Sequence, residues 1–206
     1  MAGLSPVPGI APQGLRLHAA DDPRRPEVED FIRRVYAERY GATLSQFAPM
    51  LVSLADARGD VVAAAGYRAA GTGSLFLERY LGMPVEQALA ARAGGEPTRA
   101  DVVEIGHLAG VQAGAGRELI FLLGPHLAQQ RFRWAVATLT RELLLLFSRL
   151  GIVPFALAPA DPGRLGREAA QWGSYYQHEP VVLAGEIQPA LRRLARRQLR
   201  GDGARA

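Results

Sequence analysis

The sequence predicts a mixed α/β fold, an α+β mixed sheet of about seven strands flanked by helices on both faces. Three observations lead there. Two early apolar runs, 50–54 and 61–69, are split by Asp56-Ala-Arg-Gly-Asp60, which reads as a hairpin. From Val102 onward, strand-length apolar runs alternate with helical patterns, as in sheets whose strands are joined by crossover helices. The chain has 206 residues, 49% of them hydrophobic, which suits one core in one domain.

The elements follow in order. Residues 1–14 are rich in Pro and Gly with little apolar patterning, and read as a flexible N-terminal arm. Residues 15–187 are expected to form the single domain. Residues 15–18 alternate as a short strand. In 26–40, Val28, Phe31, Ile32 and Val35 recur at helical spacing, Pro26 suits a first turn, and Gly41 stops the helix. Residues 74–81 read as a strand or a loop, and 84–92 as a helix. Strand 101–109 leads through a Gly-rich turn to a helix over 117–130. Strand 134–140, helix 142–150, strand 153–158, short helix 164–170 and strand 180–186 complete the domain. Residues 188–206 form a basic C-terminal helix and tail, with Leu191, Leu194, Ala195 and Leu199 on one face of 189–200.

Composition excludes several classes. With no cysteine there is no disulfide framework, no thiolate catalysis and no cysteine-ligated metal; nothing in the pattern implies any metal. No apolar run approaches the ~18–20 residues of a membrane-spanning helix. The first residues lack a basic region followed by an apolar stretch, so no signal peptide is read and a cytoplasmic location is expected. Net charge is +4, and all 24 basic residues are Arg. Six of them lie in 188–206 against one acid, leaving the body near neutral. A nucleic-acid surface would spread over a folded face, so no nucleic-acid partner is expected. The basic amphipathic helix 189–200 leaves two options, peripheral membrane contact or docking with its arginines in solvent.

Five segments carry candidate chemistry. Glu104 is an acid inside the apolar strand Val102-Val-Glu-Ile-Gly-His-Leu108; burial there raises a carboxyl pKa, which suits a general base. Strict alternation puts Val103, Ile105 and His107 on one face and Glu104, Gly106 and Leu108 on the other. Gly110-Val-Gln-Ala-Gly-Ala-Gly116-Arg117 lies between a strand and a helix, where backbone N–H groups make an anion site. It has neither the Gly-Lys-Ser/Thr ending of a P-loop nor a Gly-x-Gly-x-x-Gly fingerprint. Trp172-Gly-Ser-Tyr175-Tyr176 supplies either a pocket wall with a phenolic acid or a core contact. Glu78, Arg79 and Tyr80, set among apolar residues, fit a pocket lining or an ordinary salt-bridged strand. The fifth segment is the arginine-rich tail.

The blocks Leu75-Phe-Leu-Glu-Arg-Tyr-Leu81, Val103-Glu-Ile-Gly-His-Leu-Ala109, Trp134-Ala-Val-Ala-Thr-Leu-Thr140, Trp172-Gly-Ser-Tyr-Tyr176 and Pro180-Val-Val-Leu-Ala-Gly185 resemble, in this order, the bacterial thermostable hemolysin family. That family is similar to the GNAT acyltransferase superfamily and to N-acyl-homoserine lactone synthases. The resemblance implies a GNAT-like, V-shaped sheet holding acyl-CoA or an acyl-carrier-protein phosphopantetheine in its split, with no permanently bound cofactor. It implies transfer of a fatty acyl group to a small amine acceptor, an amino-acid-like one among the options, with Glu104 as base and Tyr175 or Tyr176 as acid. Leu108 and Ala109 would meet the pantetheine, and Gln112, Gly114, Gly116 and Arg117 the pyrophosphate or a carrier protein's phosphate. Arg68, Glu78, Arg79, His107 and Trp172 would meet the acceptor. Two departures stand out. His107 occupies a position where the family has Asn, and Gln112 lies one residue closer to Gly114 than the superfamily loop places it. The family name also admits a direct membrane-active reading, and the fold could be kept without catalysis.

Overall fold

The computed structural model describes residues 14–112 and 114–203, with side chains through Arg196; residues 1–13 of the expected arm and the side chains of the last arginines lie outside the described residues. Seven strands form one mixed sheet, as the sequence predicts, in the order β1-β2-β3-β4-β5-β7-β6. The strands are β1 Arg16–His18, β2 Met50–Ala55, β3 Val61–Ala69, β4 Val102–Gly110, β5 Trp134–Leu139, β6 Phe155–Pro159 and β7 Val181–Glu186. All pairs are antiparallel except β4 with β5.

Helices cover both faces. On one lie α1 (Arg25–Tyr40), α2 (Glu78–Leu81), α3 (Val85–Ala93) and a 3-10 stretch over Pro162–Trp172; on the other lie α4 (Ala115–Gln129), α5 (Arg141–Leu150) and α6 (Ile187–Gly203). The first helix follows its spacing: Val28, Phe31, Ile32 and Val35 are all buried, and Gly41 closes it at φ 64° with its N–H on the Ala37 carbonyl. Packing α6 against α4 buries Leu194 and half-buries Leu191 and Ile187 completes the stripe, whereas Ala195 is exposed. Leu191 and Leu194 are thus spent inside the protein, the Leu199 side chain lies outside the described residues, and Arg192, Arg193 and Arg196 face solvent. No described helix is long and apolar enough to cross a membrane.

Of the two options for residues 74–81 the structure has the loop, which ends in the single turn α2 because the Glu78 carboxylate turns back to accept the Leu75 N–H at 2.8 Å. Two elements differ from expectation. The fourth helix starts at Ala115, two residues early, since Gly114 takes φ 86° and turns the chain there. The 3-10 stretch is longer than expected and breaks at Gly166.

The feature that positions the site is a break in pairing. Strand β4 pairs with β5 only from Val102 to Ile105, opposite Trp134 to Ala137. Beyond that point β4 stays on β3 as far as Gly110, and β5 stays on β7 as far as Leu139. The two central strands therefore part after Ile105. A bulge accompanies the parting: His107 and Leu108 together oppose Ala65, with His107 at φ 54°. The bulge overturns strict alternation. His107 joins Glu104 on the α1 face, and Leu108 joins Ile105 on the α4 face.

A buried serine–histidine–carboxylate row occurs elsewhere. His18 Nε2 lies 2.8 Å from Ser53 Oγ, and His18 Nδ1 lies 3.4 Å from Asp22. Ser53 is 1% exposed and borders neither cavity described below, so the row ties β1 to β2 and has no access to a substrate.

The Trp172-Gly-Ser-Tyr-Tyr block rests on the end of α1. Ser174 donates its N–H to the Tyr40 carbonyl at 2.8 Å, and Gln171 accepts from Thr43 N–H at 2.7 Å. Gly173 sits at φ 54° where a Cβ would lie 2.0 Å from the Tyr40 carbonyl oxygen. Gly173→Ala is therefore expected to destabilise the protein by about 3 kcal/mol or more, through overpacking and a left-handed backbone. Chemical denaturation checks it; a loss below about 1 kcal/mol would contradict this packing.

Candidate functional site

Two cavities lie on opposite faces of the sheet near the parting of β4 from β5. On the α1 face a cavity of about 160 Å³ is bordered by Tyr36 of α1, Phe47, Arg68 of β3, Phe76 and Tyr80, Glu104 and His107 of β4, Thr138 of β5, and Trp172 and Tyr175. On the other face a cavity of about 100 Å³ runs between β4, β5, β7, α4 and α6; its walls include Leu108, Leu123, Ala137, Leu139, Leu183 and Leu191. Ile105, the last β4 residue paired to β5, borders both. The first cavity contains charge and phenol; the second is almost wholly aliphatic.

Glu104 sits on the floor of the first cavity. Its two oxygens each accept one backbone N–H, Oε2 from Phe76 and Oε1 from Leu77, both at 2.9 Å. Burial pushes its pKa up, while those N–H groups and the nearby Arg68 guanidinium pull it down; burial prevails. Each carboxylate oxygen retains a lone pair, so the group can still take a proton from a ligand. Arg68 is the direct cross-strand partner of Glu104 in the β3–β4 register.

His107 packs at a tilt against Phe47, with ring centroids 5.3 Å apart, and its Nδ1 has no hydrogen-bond partner among the described residues. Burial lowers its pKa to about 4, with the Gln46 backbone opposing. The ring fits because residue 66 is glycine: a Cβ there would lie 3.1 Å from His107 Nδ1 and 2.8 Å from the Ala48 Cβ.

The two tyrosines separate. Tyr175 borders the cavity and donates its hydroxyl to the Thr138 carbonyl at 3.2 Å, just past the parting of β5 from β4. Burial raises its pKa well above the usual phenol range, so it stays protonated. The hydroxyl of Tyr176 instead meets that of Tyr80 at 2.7 Å, and its ring does not border the cavity.

Other residues singled out from the sequence scatter. Trp172 and Arg68 border the cavity, but Glu78 and Arg79 do not. Glu78 bonds Arg99 and also accepts the Val85 N–H at 2.8 Å, which fixes α2 to α3; Arg79 pairs with Glu168 and lies over Phe76. The Leu108 side chain enters the aliphatic cavity, and Ala109 packs on the α1 face. Beyond Ile105 the edge of β4 that faces β5 has no strand partner, which leaves backbone groups of this segment open to a ligand. Gly114 and Gly116 lie at the start of α4, beside the end of β4 at Gly110. Gln112 and Arg117 are exposed beside it, Arg117 lying over Phe121. Phe47, Phe76 and Tyr36 were missed as wall residues. Only the pairing of distant segments brings them together, and no local pattern signals it. Among the described residues, no group of three or more His, Asp or Glu side chains is placed to hold a metal ion.

Comparison with known proteins adds the following. The family model described as thermostable hemolysin matches residues 18–191. No curated protein matches the chain. Three solved structures share the fold. TofI in an apo form is 18% identical with a TM-score of 0.61, covering 87% of this chain and 97% of its own. FeeM, an N-acyl amino acid synthase from uncultured soil microbes, is 12% identical with a TM-score of 0.60, covering 85% and 90%. The AHL synthase LasI is 14% identical with a TM-score of 0.58, covering 86% and 93%. The GNAT-like sheet expected from the sequence is the one present.

The depressed pKa of His107 has a consequence for stability. In the unfolded chain the ring protonates near 6.5, in the fold only near 4, so stability is lost as pH falls through that window. Between pH 7 and 4.5, wild type is expected to lose about 2–3 kcal/mol more than His107→Asn. Urea titrations at the two pH values measure the difference; equal losses would show that the ring is not held neutral.

Proposed function

The chain belongs to the thermostable hemolysin family, and on that premise we propose that it is an acyltransferase moving a fatty acyl group from a CoA or carrier-protein thioester to an amine. One observation carries the reading: an aliphatic cavity on one face and a cavity holding Glu104 and Tyr175 on the other both border Ile105, where β4 and β5 part. A thioester lying in the gap would send its acyl chain into the aliphatic side and present its carbonyl to an amine on the Glu104 side. The neighbours named as an AHL synthase and an N-acyl amino acid synthase support the same class through their fold.

In this mechanism the amine nitrogen attacks the thioester carbonyl, and Glu104 takes the proton that the nitrogen loses. Unpaired backbone N–H groups of β4 beyond Ile105 stabilise the oxyanion. The C–N bond forms, the C–S bond breaks, and Tyr175 donates to the departing thiolate, whose ordinary pKa is about 8.5. Tyr176 is a support for Tyr80. The phosphate end of the donor lies toward Gly114, Gly116 and Arg117 at the start of α4, where N–H groups and one cation favour an anion. The same surface accepts CoA or, through a single phosphate, a carrier protein. By the space one water needs, the aliphatic cavity has room for on the order of eight chain atoms.

Three outcomes test this. Thermal shift with CoA and acyl-CoA esters is expected to rise with chain length until the cavity is full; no shift with acyl-CoA or an acylated carrier protein sinks the donor site. Glu104→Gln is expected to lower kcat/KM at neutral pH about 10²–10⁴-fold, and to remove an ascending pH limb that lies above the usual carboxylate range. Unchanged turnover would remove Glu104 from the chemistry. Ala190→Leu, which narrows the aliphatic cavity from α6, is expected to shift the preferred chain to a shorter one; an unchanged preference places the chain elsewhere.

A further inference from the structure

Among the arginines around the α1-face cavity, Arg68 stands apart. Arg25 pairs with Glu29, Arg79 with Glu168, and Arg99 with Glu78 and Glu86. Arg68 borders the cavity, makes one hydrogen bond, from Nη1 to the Ser74 carbonyl at 3.2 Å, and has no carboxylate within ion-pair distance among the described residues. Its cross-strand partner is Glu104, whose side chain leaves the same face of the sheet. Such partners have Cβ atoms about 4.5–5.5 Å apart. The cavity floor therefore carries a cation and an anion side by side, neither neutralised by direct contact with the other. A zwitterion with its amine and carboxylate on the same carbon matches that pair.

The walls narrow the choice further. Phe47, Phe76, Tyr80, Trp172 and Tyr175 surround the charged floor. Trp172 lies with its centroid 5.6 Å from Phe76 and 5.2 Å from Tyr175. Faces and edges of this kind receive a flat or bulky apolar group. A volume of about 160 Å³ holds on the order of ten non-hydrogen atoms, counted by the space each water needs. That suits a free amino acid.

We propose that the acceptor is an α-amino acid with an aromatic or large aliphatic side chain, its carboxylate gripped by Arg68, its amine directed to Glu104 and its side chain held among the aromatic walls. The assignment rests on the acyltransferase reading for what happens to the amine, but not for the binding itself. Arg68 is a binding residue here, using the fork geometry with which a guanidinium takes a carboxylate.

The test is isothermal titration calorimetry on the full chain, with and without saturating CoA, using L-phenylalanine, L-leucine and phenethylamine. Phenylalanine and leucine are expected to bind, with phenethylamine, which lacks the carboxylate, weaker by about ten- to a hundredfold. Arg68→Gln is expected to weaken phenylalanine by that factor while leaving phenethylamine within about twofold, and Arg68→Lys to recover part of the loss. Phenethylamine provides the internal control for a variant that folds poorly, since a damaged fold weakens both ligands. Equal binding of phenylalanine and phenethylamine, equal weakening of both by Arg68→Gln, or no binding of any of the three overturns the proposal. Acyl transfer to other amines without any amino acid accepted also overturns it, leaving the acyltransferase reading intact. Arg68-dependent binding of phenylalanine with no thioester consumed supports this site and defeats the acyltransferase reading instead.

Discussion

At His107 the backbone leaves the β region, and two residues of β4 come to face one of β3. A non-glycine residue in the left-handed region carries strain, and the surroundings hold it there: Gly66 opens space for the ring, and Phe47 covers it. The consequences reach across the site. The bulge puts His107 and Glu104 on one face and Leu108 and Ile105 on the other, at the level where β5 separates from β4. Without that shift Leu108 would leave the aliphatic cavity and His107 would enter it. The separation of an aliphatic side from a charged side follows from one extra residue in one strand.

A second constraint is the loop between β3 and α2. Glu104 and Arg68, neighbours across the strands, both hold it, the first through the Phe76 and Leu77 N–H groups and the second through the Ser74 carbonyl. Glu78 turns the same loop into α2 and binds Arg99, which donates to the carbonyls of Ala70 and Gly73. The segment that supplies Phe76 and Tyr80 to the cavity is thus fixed by charged side chains from three elements. Its opposite wall is fixed by Gly173 and Ser174 on the end of α1. The cavity is built from backbone held on both sides by hydrogen bonds, which keeps the Glu104 carboxylate in one place.

Much of this was legible in the sequence. Periodicity located α1 and four of its six buried residues, the hairpin of β2 and β3, and the strand carrying Glu104 as a partly buried acid. The resemblance carried by the Glu-Arg-Tyr-Leu and Trp-Gly-Ser-Tyr-Tyr blocks matched the family and the GNAT-like sheet. What was not legible depends on contacts between distant segments. Alternation assigned His107 to the wrong face, because a bulge at a histidine leaves no local signature. Residues 74–81 look strand-like, and only the return of Glu78 to the Leu75 N–H makes them a turn. That Tyr175 and not Tyr176 borders the cavity goes with its bond to the Thr138 carbonyl, 37 residues away in the chain. Glu78 and Arg79 looked like pocket residues, but their charges are spent on Arg99 and Glu168.

The central claim is that the gap between β4 and β5 carries the thioester, with the chain on one face of the sheet and the acceptor on the other. A crystal structure with a non-cleavable thioether analogue of a medium-chain acyl-CoA tests it most directly. The account predicts sulfur density between Ile105 and Thr138, the alkyl chain among Leu123, Leu139 and Leu191, and an open space beside Glu104. An alkyl chain lying against Trp172 and Phe76 on the Glu104 side, or an analogue bound away from the gap, would contradict it.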